Sequence, residues 1–240
     1  MAEYRLLNQF YEKDHRARLI KHDQVLPILR PRTHDWSQVM VYDHRYTPLL
    51  QRAGLHVIAN LVRRGMPTFN PAALTALIDR WRPETHGFHL PCGEMTITLQ
   101  DVAMLLGLPI QGNLVIGPAV SDGWRERVEQ FLGTQLEVRE EGRHGRVSGV
   151  RLLWLRAIFG SCPDDADEAT VTFHGRAWVV LHMFGSVLFP DGMGDSASWM
   201  YIHCLHDWDE AGGYSWGSAV LSFLYRQLCE ACRRHTPNST

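Results

Sequence analysis

Residues 81–95 read Trp-Arg-Pro-Glu-Thr-His-Gly-Phe-His-Leu-Pro-Cys-Gly-Glu-Met, and residues 96–109 continue as Thr-Ile-Thr-Leu-Gln-Asp-Val-Ala-Met-Leu-Leu-Gly-Leu-Pro. Apolar and polar residues alternate from Phe88 to Leu90. They alternate again from Met95 through Ile97 to Leu99, after a Pro-Cys-Gly segment that suits a turn. This period of two is typical of β-strands, so the stretch predicts a β-hairpin near residues 85–99.

Helical patterns lie on both sides of the hairpin. Asn70 before Pro71 is a good helix start, because the asparagine side chain accepts from free amides and proline needs no donor in the first turn. Thr98 and Asp101 predict a capped helix after the hairpin. We therefore predict a mainly α (α+β) fold, a helical domain with one β-hairpin inserted between helices. Spacings of three and four residues place further helices at 4–11, 47–64 (two short pieces), 123–132, 150–159, 168–188, 198–208 and 216–234, with an exposed loop at 134–149.

A second informative block lies near the other end of the chain. Residues 207–220 read Asp-Trp-Asp-Glu-Ala-Gly-Gly-Tyr-Ser-Trp-Gly-Ser-Ala-Val, and residues 224–229 read Leu-Tyr-Arg-Gln-Leu-Cys. The two blocks, in this order, resemble the signature of the plant mobile domain family, and the resemblance covers about residues 51–233. It implies a domain shared between transposable elements and host nuclear proteins, with nuclear location and roles in gene silencing or meristem maintenance.

Composition and domain organisation agree with one globular region. We predict an N-terminal arm at 1–46, partly irregular, and a plant mobile domain-like region at 47–240. Family domains continue into further aromatic-rich segments, so the resemblance implies a chain truncated at its C-terminus. Truncation predicts an exposed apolar patch at Trp208, Phe223 or Leu224. No run approaches the roughly 18 apolar residues of a membrane span, so no membrane partner is expected.

The scarcity of lysine excludes one enzyme class. Lys13 and Lys21 are the only lysines among the 24 basic residues. Family domains are often labelled aminotransferase-like, yet pyridoxal-phosphate chemistry needs a lysine amine for the internal Schiff base. Arginine stays protonated and is a poor nucleophile. We predict no aminotransferase activity and no cofactor.

One stretch matches the sequence pattern of a hydrolase motif but lacks the context that the motif needs. Residues 213–217 match Gly-x-Ser-x-Gly, the nucleophile elbow of esterases. The elbow needs a buried strand before the serine, and an acid and then a histidine after it. The preceding residues are polar and glycine-bearing, and no aspartate follows Ser215. We therefore expect Ser215 to cap the last helix, and we predict no catalytic residues.

Four residues have the spacing of zinc ligands. His203 and His206, and likewise Cys229 and Cys232, are three residues apart and would share a helix face. The cysteines also continue the apolar stripe of the last helix, which favours buried structural thiols. We predict no metal, with this set as the zinc alternative. Acidic residues at 164–168 are expected to cap a helix rather than to bind metal. Those at 207–210 are expected to form a solvated turn rather than to perform acid–base catalysis.

The favoured function is a noncatalytic nuclear interaction module. By the resemblance, its partners are proteins of the silencing machinery, including phosphatase-like proteins. The alternative is a DNA or chromatin-binding domain of transposon origin that uses arginine contacts, although a net charge of −2 argues against strong attraction to polyphosphate. The candidate contacts to partner or nucleic acid are Arg80, Arg82, His86 and His89. Further arginines considered for phosphate contact are Arg63, Arg64, Arg125, Arg127, Arg143 and Arg146.

Overall fold

The signature stretch folds as three antiparallel strands, one more than the predicted hairpin. The computed structural model describes residues 13–18, 26–29, 40–117, 122–136, 149–190 and 195–233. Its first sheet has the order β1 (Trp81–Arg82), β2 (Gly87–Leu90) and β3 (Gly93–Met95). Phe88 pairs with Trp81 on one side and with Met95 on the other. The prediction that the second strand extends through Ile97 to Leu99 is wrong, because β3 ends at Met95 and Leu99 begins a helix.

The helices around this sheet start where local chemistry predicts. Helices α1 (Thr47–Arg52) and α2 (His56–Arg64) are the two predicted short pieces. At the start of α3 (Pro71–Ile78), Asn70 Oδ1 accepts from the amide of Ala72 at 2.9 Å. At the start of α4 (Leu99–Leu106), the Thr98 amide donates to Asp101 Oδ2 at 2.8 Å, and the Asp101 amide donates back to Thr98 Oγ1. Both predicted caps are confirmed.

The remaining helices confirm the mainly α (α+β) class. Asp167 accepts from the Thr170 amide at 2.8 Å and caps a helix, as the acidic run predicts. The predicted helix at 4–11 and most of the predicted loop at 134–149 lie outside the described residues. The further helices are α5 (Trp124–Leu132), α6 (Leu152–Phe159), α7 (Glu168–Val179), α8 (Trp199–Ile202), α9 (Trp208–Gly212) and α10 (Trp216–Ala231), with 3-10 turns at His44–Tyr46 and His203–Leu205.

A second sheet was not predicted. Strand β4 (Gly149–Arg151) pairs antiparallel with β5 (Ser196–Ser198), so Val150 lies in a strand rather than in the helix that its spacing suggested. Val150 faces Ala197, and both are buried. Two three-residue strands that meet across a long stretch of chain leave no periodic signal in either segment.

The long apolar helix predicted at 168–188 changes its winding halfway. It is α-helical to Val179 and continues as a π-helix over Val180–Leu188. The Phe189 amide donates to the Phe184 carbonyl at 3.0 Å, a five-residue reach that closes the wider turn. Nearly all of the π segment is buried. The sequence pattern does not distinguish an α-helix from a π-helix here, because this mostly apolar stretch would be buried in either winding.

Trp208 is buried rather than exposed, which corrects the predicted apolar patch at this residue. The predicted helix at 198–208 is divided into α8, a 3-10 turn and α9. The break arises at Asp207, whose side chain accepts from the amides of Asp209 (2.7 Å) and Glu210 (3.0 Å) and so starts a new helix. Phe223 and Leu224 are half-buried.

The chain divides into two compact units, each built from separate stretches. Unit 1 comprises Met1–Arg32, Pro67–Asp101 and Leu221–Thr240, and unit 2 comprises Thr33–Met66 and Val102–Val220. The core of unit 1 is formed by Leu29, Ile78, Trp81, Leu228 and Cys232. Within the described ranges, no helix combines the length and apolar character needed to cross a membrane.

Candidate functional site

In unit 1, the two signature blocks meet at a buried aromatic cluster. Trp81 is fully buried, and its Nε1–H donates to Cys229 Sγ at 3.3 Å. Its ring lies 4.9 Å from the ring of Phe88 and 5.4 Å from that of Tyr225. Such edge-to-face and tilted pairs stabilise a core beyond the area they bury. Trp81 and Phe88 come from the first block, and Tyr225 and Cys229 come from the second.

Tyr225 also holds the turn between β1 and β2. Its hydroxyl donates to the Ile97 carbonyl at 2.5 Å, and its ring stacks on His86 at 5.2 Å. Thr96 Oγ1 donates to the His86 carbonyl at 2.5 Å and lies 2.9 Å from Tyr225 Oη. His86 has a φ of +50°, a conformation that a histidine adopts only when its surroundings hold it there. The second block therefore sets the conformation of a residue in the first.

In unit 2, the two blocks meet again, this time through backbone atoms. The Asn113 amide donates to the Gly213 carbonyl and the Ser215 amide donates to the Asn113 carbonyl, both at 2.8 Å. The Gly217 amide donates to the Pro109 carbonyl, also at 2.8 Å. A Cβ atom on Gly112 would lie 2.2 Å from the Gly213 carbonyl oxygen. Only glycine permits this approach, so Gly112 is explained by close packing of main chain on main chain.

The four candidate contact residues have different surroundings. Arg80 is exposed, and its Nη1 donates to the Ala76 carbonyl at 3.0 Å. Arg82 is half-buried, and its Nε has no hydrogen-bond partner among the described residues. His86 is exposed but stacked on Tyr225, as described above. His89 is hydrogen-bonded across β2 and β3 to Glu94 at 3.1 Å. Whether any of the four contacts a partner stays a prediction.

The zinc set has other bonding partners. Cys229 Sγ accepts from Trp81, and Cys232 Sγ donates to the Cys229 carbonyl at 3.2 Å. His203 Nε2 lies 3.3 Å from Cys204 Sγ. In the described part of the chain, no group of three or more histidine, cysteine, aspartate or glutamate side chains is arranged to hold a metal. The geometry therefore gives no support to zinc at His203, His206, Cys229 and Cys232.

Cys204 and His203 form a thiol–imidazole pair that sequence reasoning missed. The Tyr214 side chain is hydrogen-bonded to the same thiol. A nucleophilic cysteine needs a lowered pKa. Here burial raises the pKa of Cys204 to about 11 and lowers the pKa of His203, so both groups are neutral near pH 7. The pair is arranged as buried structure, and neither group is prepared for nucleophilic attack.

Ser215 has no catalytic geometry either. It is buried, and its Oγ donates to Ser218 Oγ at 2.6 Å. Trp216, the next residue, is fully buried and donates from Nε1 to the Ala211 carbonyl at 2.8 Å. Ser215 thus stands at the start of α10 beside a buried tryptophan that anchors the helix, as the sequence predicts.

An acidic surface surrounds α1 in unit 2. Arg52 donates from Nε to Asp209 Oδ1 at 2.7 Å, and this bond, with the nearby charges of Asp207 and Glu168, raises the pKa of Arg52. Arg45 donates from Nη2 to Asp43 Oδ2, and this hydrogen bond lowers the pKa of the Asp43 carboxyl to about 2. The acidic surface is formed by the exposed carboxylates that act on Arg52, namely Glu168, Asp207 and Asp209.

A short N-terminal segment completes the core of unit 1, although the sequence predicted a partly irregular arm. His15 and Arg16 are buried, and the Arg16 amide donates to the Cys232 carbonyl at 2.7 Å. No apolar period marks this segment, so hydrophobic patterning alone gave no sign of its burial. The division into an arm at 1–46 and a globular region at 47–240 stays a prediction.

Comparison with known proteins finds one family. The plant mobile domain family matches residues 58–240. Protein MAIN-LIKE 1 of Arabidopsis thaliana is 38% identical over 192 residues, which are 79% of this chain and 36% of the relative. Protein MAINTENANCE OF MERISTEMS of the same plant is 37% identical over 172 residues, or 71% and 34% of the two chains. The Arabidopsis protein named Serine/threonine-protein phosphatase 7 long form homolog is 45% identical over 163 residues, or 68% and 12%.

The chain therefore spans 12–36% of the length of these three relatives. No solved structure matches it.

Proposed function

This chain belongs to the plant mobile domain family, and we propose that it is a noncatalytic nuclear interaction module that acts in transposon or gene silencing or in meristem maintenance. The name of the relative Protein MAINTENANCE OF MERISTEMS supports the meristem role. One observation carries the proposal. The signature residues pack or pair with one another, through Trp81 and Cys229 in unit 1 and through Pro109 and Gly217 in unit 2. These contacts support the fold.

The state of the buried nucleophiles supports the noncatalytic assignment. Cys204 is a protonated thiol beside a neutral His203, because burial raises the pKa of the thiol and lowers the pKa of the imidazole. Ser215 is bonded to Ser218. A cysteine nucleophile needs a lowered thiol pKa, and burial raises the pKa of Cys204 instead.

Charge distribution supports a protein partner over DNA. Nucleic-acid binders display a basic surface that displaces counterions. Here Arg52 is paired with Asp209, Arg45 is paired with Asp43, and Arg176 is buried with Nη1 donating to the Phe131 carbonyl at 2.9 Å. The acidic surface around α1 repels phosphate. Many arginines of this chain thus serve internal contacts.

The first test is binding to a phosphatase-like partner. The probe is the Arabidopsis Serine/threonine-protein phosphatase 7 long form homolog, and the measurement is isothermal titration of the purified chain. We expect a saturable complex with a Kd of about 1 µM, typical of a transient interaction. The Arg52→Ala and Asp209→Ala variants test whether the acidic surface contributes. No heat of binding at any practical concentration would refute this partner.

The second test measures DNA binding across a salt series. We expect negligible binding of duplex and single-stranded DNA pools near physiological salt. An Arg80→Ala/Arg82→Ala double variant is compared with Arg52→Ala, whose arginine is already paired with a carboxylate. Tight binding that falls steeply with salt, and that only the double variant weakens, would favour the DNA or chromatin-binding alternative.

A further inference from the structure

We propose that unit 1 contains a recognition site for an arginine-bearing peptide, and that the chain fills this site with its own N-terminal segment. We call residues 13–18 and 26–29 the strap. The groups that receive it belong to Thr75, Asp79, Trp81 and Cys232, which we call the Asp79 site. The inference rests on the proposed function, because it names a partner chemistry for the interaction module.

Arg16 is the centre of the contact. Its side chain is 0% exposed, and its Nε lies 2.6 Å from Asp79 Oδ1. Its Nη2 donates to the carbonyl of Pro27 at 2.8 Å, within the strap itself. Its backbone amide donates to the Cys232 carbonyl at 2.7 Å, at the end of α10. A guanidinium buried against a carboxylate is the arrangement by which proteins recognise arginine side chains.

The rest of the strap is held by a side-chain bond from His15 and a backbone bond from Leu29. His15 Nε2–H donates to the Trp81 carbonyl at 2.8 Å, while His15 Nδ1 accepts from the Ala17 amide at 3.0 Å. Together these bonds fix the Nε2–H tautomer of a neutral imidazole. The Leu29 amide donates to Thr75 Oγ1 at 3.0 Å. Leu29 is also the strap residue in the unit 1 core.

The fit of the strap leaves polar atoms unpaired. Arg16 Nη1 and Glu84 Oε2 are buried without a hydrogen-bond partner among the described residues. Arg16 Nε and Asp79 Oδ1, by contrast, are paired with each other in the ion pair. A buried polar atom without a partner destabilises the state that encloses it. The strap is therefore an imperfect ligand, and a better-fitting peptide displaces it.

The strap and the Asp79 site come from different parts of the chain, which supports exchange of the strap for another peptide. Every member of the Asp79 site lies within the 58–240 stretch that defines the family, whereas the strap lies before it. Arg82, Asp79 and Glu84 all act on His15, so one cation and two carboxylates lie near the strap, and the two carboxylates complement an incoming cation. The partner is accordingly an extended peptide that carries an arginine at the position of Arg16 and an apolar residue that takes the place of Leu29.

The test uses the full chain and a fluorescent peptide with the sequence of residues 13–29. The Arg16→Ala chain, whose fold is checked by near-UV circular dichroism, is expected to bind this peptide about tenfold more tightly than the wild-type chain does, because its own strap competes less. A peptide with Arg16→Ala should lose binding. A peptide with Arg18→Ala should bind normally, since Arg18 is exposed. Adding Asp79→Asn to the Arg16→Ala chain should abolish binding.

Equal binding of the Arg16→Ala and Arg18→Ala peptides would overturn the proposal, as would no binding to a folded Arg16→Ala chain. Should that chain fail to fold, His15→Ala replaces it, because this change removes side-chain bonds to the Trp81 carbonyl and the Ala17 amide and leaves the ion pair intact. Loss of peptide binding with retained phosphatase binding refutes this inference alone. Loss of phosphatase binding with retained peptide binding refutes the proposed partner alone.

Discussion

Gly112→Ala tests whether the signature blocks are joined in unit 2 through close backbone contact. Gly112 has a φ of +119°, and an added Cβ would lie 2.2 Å from the Gly213 carbonyl oxygen. The matched control is Gly65→Ala, because Gly65 also has a positive φ, +89°, but has no atom within 4 Å of the added Cβ. Both variants strain the backbone, and only Gly112→Ala also forces two main-chain segments apart.

The expected magnitudes follow from this difference. A non-glycine residue in the extended positive-φ region that Gly65 occupies (φ +89°, ψ 132°) costs on the order of 1–3 kcal/mol, partly offset by about 0.4–1 kcal/mol from the restricted unfolded chain, so Gly65→Ala should cost about 1 kcal/mol. Separating Gly112 from Gly213 also breaks the Asn113–Gly213 and Ser215–Asn113 hydrogen bonds. Losing these two hydrogen bonds costs about 1 kcal/mol each. Added to the backbone cost, this loss means that Gly112→Ala should lower the free energy of unfolding by about 3 kcal/mol.

The assay is urea unfolding followed by tryptophan fluorescence, supported by thermal melting. For a chain of this size, about 3 kcal/mol lowers Tm by about 6–12 °C. A difference between the two variants of less than about 0.5 kcal/mol, the spread of ordinary surface substitutions, would refute the close-contact explanation. The two signature blocks would then be joined by side chains alone.

Three further predictions concern buried side chains. Trp81→Ala should lower the free energy of unfolding in urea by about 3–5 kcal/mol, whereas the exposed Arg80→Ala should change it by less than about 0.5 kcal/mol; equal effects would contradict the buried role of Trp81. Burial lowers the pKa of His182 to about 4, so only the unfolded state gains a proton as pH falls from 6.5 toward 4. The unfolding free energy should drop by up to about 3 kcal/mol over that range, and a His182→Gln variant with the same pH profile would contradict this cause. Alkylation at pH 7.5 should modify the exposed Cys92 quickly and Cys204 slowly, since the pKa of Cys204 is raised to about 11; equal rates by mass spectrometry would refute the buried state.

Part of the candidate site was predictable because its signals are local. Asn70, Thr98 and Asp167 start helices by bonds that span two or three residues, so the residue order shows them directly. The roles of Ser215 and of the late cysteines as structural groups agree with their surroundings. The aromatic cluster around Trp81 and the bonds of Tyr225 were not predictable, because they join residues far apart in the chain.

Burial of charged and aromatic groups was the main failure of prediction. Trp208 was expected on an exposed patch and is buried, and the enclosure of Arg16 beside Asp79 was not predicted. Sequence patterns register apolar periodicity, and a buried ion pair has none. The strands Gly149–Arg151 and Ser196–Ser198 were missed for a related reason: each is too short for a period of two to show.

The amino-acid order alone decided the family, the helical class and most helix starts, because these depend on residue types at short spacing. Only the tertiary structure decided that the two signature blocks meet, by side chains in unit 1 and by main chain in unit 2. It also decided which arginines are enclosed or paired and which thiols are buried. Those outcomes depend on distances and solvent exposure between residues far apart in the chain, and such quantities exist only once the chain has folded.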